Sequence, residues 1–213
     1  MHAAALTEAH RPILAPAIAA AQAFARQHPI TSFAAESEIY AQGERSSDLY
    51  RIEFGAVRVY RLLADGRRQV VAFHLAGETF GFEADRTRSF FAEAMVHSGL
   101  RTIERPANDQ TSPDLMMLAL RGLIRAQEHL LVVGRQNAME RIAAFFLDMV
   151  ERQGGLEQIE LPMTRLDIGD YLGLTIETVS RTFAKFREEG IIRLHSTRSV
   201  EILRPEKLRL LCR

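Results

Sequence analysis

Hydrophobic and polar positions follow two different periods along the chain. Between residues 38 and 105, short runs rich in β-branched and aromatic residues are separated by glycines, a pattern typical of short strands joined by turns. In VRVYRLLADGRRQVVAFHL two such runs flank Asp65-Gly66, a pair that supplies the positive backbone angles of a tight hairpin turn. This region therefore predicts an antiparallel barrel or roll.

The apolar residues after position 112 follow a helical period instead. Ser112-Pro113 is a helix-start signal, with serine as the cap and proline at the first helical position. Steps of three and four sustained over this length suit pairing with an identical helix in a parallel coiled-coil dimer. We expect one apolar stripe to pack on the roll and the other to need a partner; the alternative is a single helix buried inside a monomer. The stripe assigned to dimerisation is Met116, Ala119, Leu123, Ala126, Leu130 and Val133, and the second stripe is Met117, Leu120, Ile124 and Leu131.

Breaks in the helical pattern divide the rest of the chain. Gly134 and Asn137 in VGRQNAMER predict a hinge, and Gly154-Gly155 stops the amphipathic helix of AMERIAAFFLDMVERQGG. The predicted domains are an N-terminal extension with an Ala-rich helix or tail (1–30), the roll (31–110), the dimerisation helix with its hinge (111–136) and a second domain (137–213).

The segment MTRLDIGDYLGLTIETVSRTFAKFREEG contains two helix starts. Thr164 with Asp167 three residues later resembles a capping box, and Thr175 caps a second helix that Gly190 closes. This combination predicts a helix-turn-helix, although helical hairpins in enzymes imitate the same pattern. The small residues that permit the turn are Gly169 and Gly173, and the apolar wedge is Ile168, Leu172, Leu174, Val179 and Phe183.

A hairpin is predicted directly after this motif. IIRLHSTRSVEIL contains two short strand-like runs around residues 195–198, which makes the motif a winged helix-turn-helix. The predicted fold class is therefore α+β, with an N-terminal antiparallel β-roll, a long central dimerisation helix and a C-terminal winged helix-turn-helix domain.

The exposed first turns of the second motif helix carry hydrogen-bonding side chains. Glu177 and Arg181 stand four residues apart with Ser180 beside them, so they share one helix face. An arginine fork matches the two acceptors of guanine in the major groove, and a glutamate accepts from the amino group of cytosine. The alternative is a surface ion pair between Glu177 and Arg181. The complete predicted DNA-binding set is Thr175, Glu177, Thr178, Ser180 and Arg181 on the helix, with Arg193 and Arg198 of the wing at phosphates or, alternatively, as solvated turn residues.

Charge and cysteine content limit the other classes. The formal net charge is zero, but the segment from Thr175 onward has nine basic and five acidic residues, a local charge of +4. The single cysteine, Cys212, excludes disulfides and multi-thiolate sites within one chain. The sequence shows neither a secretory signal pattern nor an apolar stretch long enough for a membrane span, so we expect a cytoplasmic protein without cofactor or metal.

The order of strand-rich roll, long helix and winged helix-turn-helix resembles the cyclic-AMP-receptor/FNR (CRP/FNR) superfamily of bacterial transcription regulators. LDIGDYLGLTIETVSR resembles the FNR type, in which Glu-x-x-Ser-Arg reads the half-site TTGAT. The segments DGRRQVVAFHLAGETFGFEA, RAQEHLLVVGRQNAMERIAAF and LCR resemble FixK proteins, regulators of microaerobic respiration and nitrogen fixation. The resemblance implies a cyclic-nucleotide-binding-like jelly roll and a homodimeric activator that binds an inverted repeat and contacts RNA polymerase through surface loops, residues 85–88 among them.

The signal that the roll receives is where the sequence departs from these relatives. FNR binds an iron–sulfur cluster through several cysteines, and this chain has no cysteine apart from Cys212. The position of Cys212 near the end of the sequence is a poor place for a thiol switch. Arg88-Ser89 resembles the pair that meets a cyclic phosphate, but Phe82 replaces the acidic residue that would bond a ribose hydroxyl. We therefore expect Arg88 to be a surface or loop residue, with a cyclic-nucleotide-responsive regulator as the alternative.

Two histidines are the remaining candidates for chemistry in the roll. His74 is the only roll-centred candidate for a haem ligand, and a lone strand histidine is usually structural. A cupin-like enzyme needs clustered histidines and carboxylates, whereas His74 and His97 lie far apart without a His-x-His pair. The sequence therefore predicts a protein that is not an enzyme.

Overall fold

The computed structural model describes residues 28–104, 113–135 and 137–212. Residues 1–27 of the predicted N-terminal extension and the Ser112 helix cap lie outside these ranges. Within them, no helix is both long and apolar enough to cross a membrane.

Eight antiparallel strands form the roll and confirm the first prediction. They are arranged in two four-stranded sheets with the orders β1-β8-β3-β6 and β2-β7-β4-β5. The predicted hairpin joins β4 and β5, and Gly66 in its turn has a φ of 82°. The strands are β1 (Ile30–Phe33), β2 (Glu38–Tyr40), β3 (Asp48–Phe54), β4 (Ala56–Leu62), β5 (Arg68–Leu75), β6 (Thr79–Phe80), β7 (Phe91–Ala94) and β8 (Ser98–Glu104).

Five helices follow the roll, and the breaks between them lie where glycine and asparagine predicted them. The central helix ends before Gly134, and the Asn137 side chain caps the next helix by accepting from the backbone N–H of Glu140 at 2.9 Å. Gly154 and Gly155 both have positive φ beyond the end of that helix. The helices are α1 (Pro113–Val133), α2 (Ala138–Arg152), α3 (Arg165–Leu172), α4 (Ile176–Glu188) and α5 (Pro205–Leu211).

The central helix α1 packs differently from the prediction. The fully buried member of α1 is Leu115, which joins Leu49 and Ile103 of the roll and belongs to neither predicted stripe. The apolar members of both stripes are mostly exposed; Leu130 and Leu131, for example, are 70% and 73% exposed. The expectation that one stripe packs on the roll is therefore wrong, and so is the alternative of a helix buried inside a monomer. A helix that presents this much apolar surface needs a partner.

The C-terminal domain is built on an aromatic core, with α2 packed against the helix-turn-helix. Phe146 of α2 is buried, and its ring centroid lies 4.8 Å from that of Phe183 in α4. The wing is a three-stranded antiparallel sheet of order β10-β11-β9, so the predicted hairpin is confirmed and a third strand, unpredicted from sequence, pairs with it. The strands are β9 (Gln158–Glu160), β10 (Ile192–Leu194) and β11 (Ser199–Ile202).

Candidate nucleic-acid interface

The helix-turn-helix forms through the local signals that the sequence contains. The Thr164 hydroxyl accepts from the backbone N–H of Asp167 at 3.1 Å, and the Asp167 carboxylate accepts from the backbone N–H of Thr164 at 2.9 Å. This is a complete capping box, with aspartate in the position that glutamate or glutamine usually holds. Gly173 ends α3 with a φ of 64°, as a left-handed C-cap requires.

Close packing fixes the two motif helices against each other. A Cβ atom on Gly169 would lie 2.7 Å from the carbonyl oxygen of Leu174, so only glycine permits this approach. The predicted wedge is confirmed, since all of its members except the half-buried Leu174 are buried; they are Ile168, Leu172, Val179 and Phe183. The opposite side of α4 is thereby left to face solvent.

The predicted base-reading residues lie on that solvent-facing side of α4. Glu177, Ser180 and Arg181 are exposed, as is the N-cap Thr175, whereas Thr178 is half-buried. Arg181 donates to the Thr178 hydroxyl at 3.3 Å. Among the residues that the structure describes, no ion pair joins Glu177 to Arg181, which contradicts the alternative of a surface ion pair. The arginine fork and the carboxylate both remain available to a partner.

Glu177 is a charged acceptor at neutral pH. Hydrogen bonds from its own backbone N–H and from the Thr175 hydroxyl lower the pKa of its carboxyl group, and the nearby charge of Arg181 lowers that pKa further. An ionised carboxylate accepts but does not donate hydrogen bonds. The first turns of α4 therefore present one acceptor-only group and one donor-only group, the pairing that reads cytosine and guanine edges in the major groove.

The two wing arginines occupy different environments. Arg193 in β10 faces Glu201 across the strand pair, and its guanidinium lies 2.8 Å from that carboxylate, which His195 also contacts at 2.9 Å. Arg198 lies in the turn between β10 and β11 and is exposed. In the described part of the chain, no side-chain partner holds its guanidinium. It borders a cleft between the wing and the start of α3 that Thr164 helps to line.

The prediction for Arg88, a surface or loop residue, is correct for the loop and wrong for the surface. Arg88 lies in a loop but is only 3% exposed, because its guanidinium points into the roll. It donates to the carbonyl oxygens of Gly81 at 2.8 Å and Asp48 at 2.7 Å, and it lies 4.1 Å from the centroid of the Tyr40 ring. Two backbone acceptors and an aromatic face therefore stabilise its charge away from water. The predicted polymerase-contacting loop, 85–88, accordingly loses Arg88 from its exposed surface.

Aromatic side chains fill the interior around Arg88. Tyr40, Tyr50 and Phe80 stack with ring centroids 5.5 to 6.2 Å apart, and the half-buried Phe90 packs against the same cluster. Phe82 turns away from this cluster toward the base of α1, where it packs with Leu49, Ile103 and Leu115. The Arg88 guanidinium, the candidate ligand of a cyclic phosphate, thus already donates hydrogen bonds to backbone carbonyls of its own chain.

The remaining candidates for site chemistry have structural contacts. His74 stacks on Phe80 with centroids 5.4 Å apart and lies 3.5 Å from the Glu78 carboxylate, in agreement with its predicted structural role. The residues that the structure describes contain no group of three metal-ligating side chains. Cys212 is half-buried, and burial raises the pKa of its thiol above the ordinary value.

Sequence reasoning missed a set of contacts between the roll and the helix-turn-helix. Arg58 of β4 and Arg68 of β5 both donate to the carboxylate of Asp167 in α3. Asp167 was predicted from sequence only as a helix cap. The unusual aspartate in the capping box is the sole local signal, because the arginines lie about 100 residues earlier in the chain.

Comparison with known proteins matches both domains. Residues 30–110 match the family profile described as a cyclic nucleotide-binding domain, and residues 140–211 match that of a Crp-like helix-turn-helix domain. The nitrogen fixation regulation protein FixK of Rhizobium meliloti is 57% identical over 82% of this chain and 83% of its own length. The FixK protein of Azorhizobium caulinodans is 41% identical over 79% of this chain and 73% of its own.

A solved structure supports the same relationship. The structure of FixK2 from Bradyrhizobium japonicum superimposes with a TM-score of 0.81 at 37% sequence identity, covering 86% of this chain and 96% of that one. The similarity therefore extends across the roll, the central helix and the winged helix-turn-helix together.

Proposed function

The chain belongs to the FixK-type transcription regulators of the CRP/FNR family, and we propose that it binds an inverted repeat of TTGAT-type half-sites as a homodimer. Its helix-turn-helix makes it a DNA-binding protein, and like its relatives it is a transcription regulator and not an enzyme. The named role of its FixK relatives is regulation of nitrogen fixation, and we extend that role to this chain as an activator of nitrogen-fixation and microaerobic respiration genes.

The observation that carries the proposal is the free polar face of α4. Arg181 offers two parallel donors to the major-groove edge of guanine, and Glu177 accepts from a cytosine amino group. Ser180 lies between them on the same exposed face and serves a base edge or a phosphate. Arg198 at the wing turn is placed to neutralise a flanking phosphate.

The exposed stripes of α1 support the homodimer. Parallel pairing of two α1 helices covers the leucines that each chain leaves in water, among them Leu123 at 54% and Leu130 at 70% exposure. Twofold symmetry then presents two copies of α4 to successive major grooves about 34 Å apart, one DNA turn. The symmetry of the protein thereby sets the palindromic symmetry of its target.

Selection of binding sites from random DNA, with purified protein and no added ligand, tests the proposal. We expect an enriched palindrome with TTGAT-type halves whose centres lie one helical turn apart. Enrichment of a single asymmetric site, or of no site, contradicts it.

Charged substitutions on α1 test the dimer. Leu123→Asp combined with Leu130→Asp places four carboxylates in the proposed coiled coil, so we expect monomers in light scattering and loss of palindrome binding. Leu156→Asp is the matched control, because Leu156 is 64% exposed in a loop outside α1. An unchanged dimer mass in the α1 variant contradicts this interface.

Cyclic-nucleotide sensing, the alternative from sequence, finds no support in the interior of the roll. Its candidate phosphate ligand, Arg88, is bonded to Gly81 and Asp48 and covered by Tyr40. A nucleotide would have to break both hydrogen bonds before binding. We therefore expect no heat in calorimetry with cyclic AMP or cyclic GMP and no change in DNA affinity, and we propose that the amount of protein sets its activity.

The remaining partners follow from this role. Activation requires contact with RNA polymerase, for which exposed residues 85–87 are the candidates in the roll. A regulator of promoters acts in the cytoplasm, where bacterial DNA is found. Footprinting followed by transcription with purified polymerase distinguishes an activator from a repressor.

A further inference from the structure

Two arginines of the roll hold the first helix of the helix-turn-helix. Arg58 donates through Nη1 to Asp167 Oδ1 at 3.0 Å, and Arg68 donates through Nη2 to the same oxygen at 2.6 Å. Arg68 also reaches Asp170 one turn further along α3, with Nε and Nη2 at 3.0 and 2.9 Å from Oδ2. The β4–β5 hairpin therefore contacts α3 through charge-assisted hydrogen bonds.

The Asp167 carboxylate serves the roll and the DNA-binding domain at once. Its Oδ1 accepts from the two arginines, while its Oδ2 accepts from the backbone N–H and the hydroxyl of Thr164 at 2.9 and 2.7 Å. The residue is 1% exposed. A carboxylate this buried depends on its cations, because an unpaired buried charge is strongly unfavourable. The start of α3 and the roll are thus coupled through one side chain.

Further contacts join the roll and α3, and we call all these contacts, including those of Arg58 and Arg68, the seat of α3. Gln69 Nε2 donates to the backbone carbonyl of Asp170 at 2.6 Å. The Phe73 ring of β5 lies 4.8 Å from that of Tyr171, and the ring of His129 from α1 stacks on the same tyrosine at 3.8 Å. Strand β5 and helix α1 therefore both orient α3 within one chain.

The position of α3 determines that of the recognition helix α4. Gly169 has no space for a Cβ against the Leu174 carbonyl, so α3 packs directly on the turn that leads into α4. The roll contacts α3, whereas Glu177 and Arg181 on α4 stay exposed. The seat therefore orients the recognition face without covering it.

We propose that Arg58 and Arg68 are positioning residues for DNA recognition, which hold the helix-turn-helix in its DNA-binding orientation without a bound ligand. The inference rests on the proposed function, since it assumes a palindromic target. Preorganised domains lose less conformational freedom when the dimer binds both half-sites. The ion pairs of the seat then order the two domains relative to each other. In a ligand-dependent regulator, the bound ligand provides this ordering.

Arg68 is the better residue to test. The Arg58 side chain is 5% exposed and also pairs with Glu36 and Glu93, so its replacement threatens folding. The Arg68 side chain is 21% exposed. The neighbouring Arg67 provides a matched control in the same hairpin, because its side chain is 77% exposed and pairs with Asp65 in the turn.

The experiment compares Arg68→Gln, Asp170→Asn and Arg67→Gln, with Arg68→Lys as the conservative variant. Affinity is measured for the selected palindrome and for scrambled DNA. We expect Arg68→Gln and Asp170→Asn to weaken palindrome binding by about tenfold without changing scrambled-DNA binding, because Arg68→Gln loses three charged hydrogen bonds to α3 and Asp170→Asn removes the charge that accepts two of them. Arg67→Gln leaves both affinities unchanged, and Arg68→Lys recovers part of the loss.

A distance measurement separates positioning from simple stability. Spin labels are placed at the exposed positions Glu44→Cys and Arg187→Cys in a Cys212→Ser background, and labelled chains are diluted into unlabelled protein. The roll-to-α4 distance distribution broadens in Arg68→Gln and Asp170→Asn and stays narrow in Arg67→Gln. An unchanged distribution in both seat variants, or an equal affinity loss in Arg67→Gln, overturns the inference. If the wild-type protein itself selects no palindrome, the proposed function fails, while the distances still report the seat.

Discussion

Arg88 in the roll and Arg181 on α4 are the same side chain in opposite situations. Arg88 is 3% exposed and gives its hydrogen bonds to two backbone carbonyls of its own chain. Arg181 is exposed, and it donates to the Thr178 hydroxyl at 3.3 Å. Recognition of an outside partner requires donors that the protein has not already used. We therefore propose a recognition role for Arg181 and a structural role for Arg88.

Glu78 and Glu177 repeat this contrast with carboxylates. Glu78 lies where β5, α1 and α2 meet, with Arg152 and Arg125 each at 2.9 Å. Burial alone would raise the pKa of its carboxyl group, but the His74 imidazole 3.5 Å away and the arginine charges hold that pKa well below the ordinary value. Among the described residues, no arginine forms an ion pair with Glu177, which is exposed. Charges in the roll stabilise the fold, and those on α4 remain available to DNA.

The largest expected effect is on DNA binding when Arg181 is replaced. Arg181→Ala should weaken palindrome binding by about 2–6 kcal/mol, because two half-sites each lose a bidentate guanine contact of about 1–3 kcal/mol. Competition titrations with single-base variants should show the lost preference at the guanine position. Arg187→Ala, further along α4, is the control. Equal losses on palindromic and scrambled DNA would contradict base reading.

Replacing Arg88 should affect stability instead. Arg88→Leu removes the two hydrogen bonds that Arg88 donates to the carbonyls of Gly81 and Asp48 inside the roll, so we expect the free energy of unfolding to fall by about 2–4 kcal/mol. Urea titration measures the loss, with the exposed Arg86→Leu as the control. A variant as stable as the wild type that gains affinity for cyclic nucleotides would reverse the assignment.

The Glu78 network predicts how stability depends on pH. Its folded-state pKa is below that of the unfolded chain, about 4.3, so the ionised form stabilises the fold above about pH 5 and this contribution is lost as pH falls. Glu78→Gln should cost about 1–3 kcal/mol at pH 7, a gap that shrinks toward pH 3. Glu177→Gln should change the free energy of unfolding much less across this range, because Glu177 is exposed to water. A gap that is constant with pH would show that the carboxylate charge is not what stabilises the junction.

The smallest expected effect distinguishes the two wing arginines. Arg198→Ala should reduce the slope of log affinity against log salt by about one per half-site, because a free guanidinium neutralises a phosphate. Arg193→Ala should change that slope less, since Glu201 already pairs with Arg193 at 2.8 Å. Parallel salt titrations of the two variants test the difference. A slope for Arg198→Ala equal to that of the wild type would exclude the wing turn from the DNA interface.

Local signals correctly predicted the elements that form locally. Thr164, Asp167 and Thr175 cap their helices as expected, and Gly66 and Gly173 adopt the positive φ angles of their turns. Capping and turn geometry depend on residues within three or four positions, so the sequence contains all the required information. The exposure of the α4 recognition face follows from the same local periodicity.

The features that the sequence did not predict depend on distant residues. Arg88 turns inward because Asp48, 40 positions earlier, and Tyr40 provide its acceptor and its aromatic face. Strand β9 forms because β11 supplies its hydrogen bonds. The seat of α3 requires Asp167 to meet Arg58 and Arg68 from 109 and 99 positions away. The partners in these contacts lie too far apart in the sequence for a local pattern to relate them.

The sequence by itself determined the order of the elements, the capped helix-turn-helix and the identity of the side chains offered to DNA. Only the tertiary structure decided which charged groups are buried and paired within the chain and how the roll holds α3. The physical reason is that helix periods and turns arise from neighbouring residues, whereas the burial and pairing of a charge depend on which distant groups the fold brings within hydrogen-bond distance.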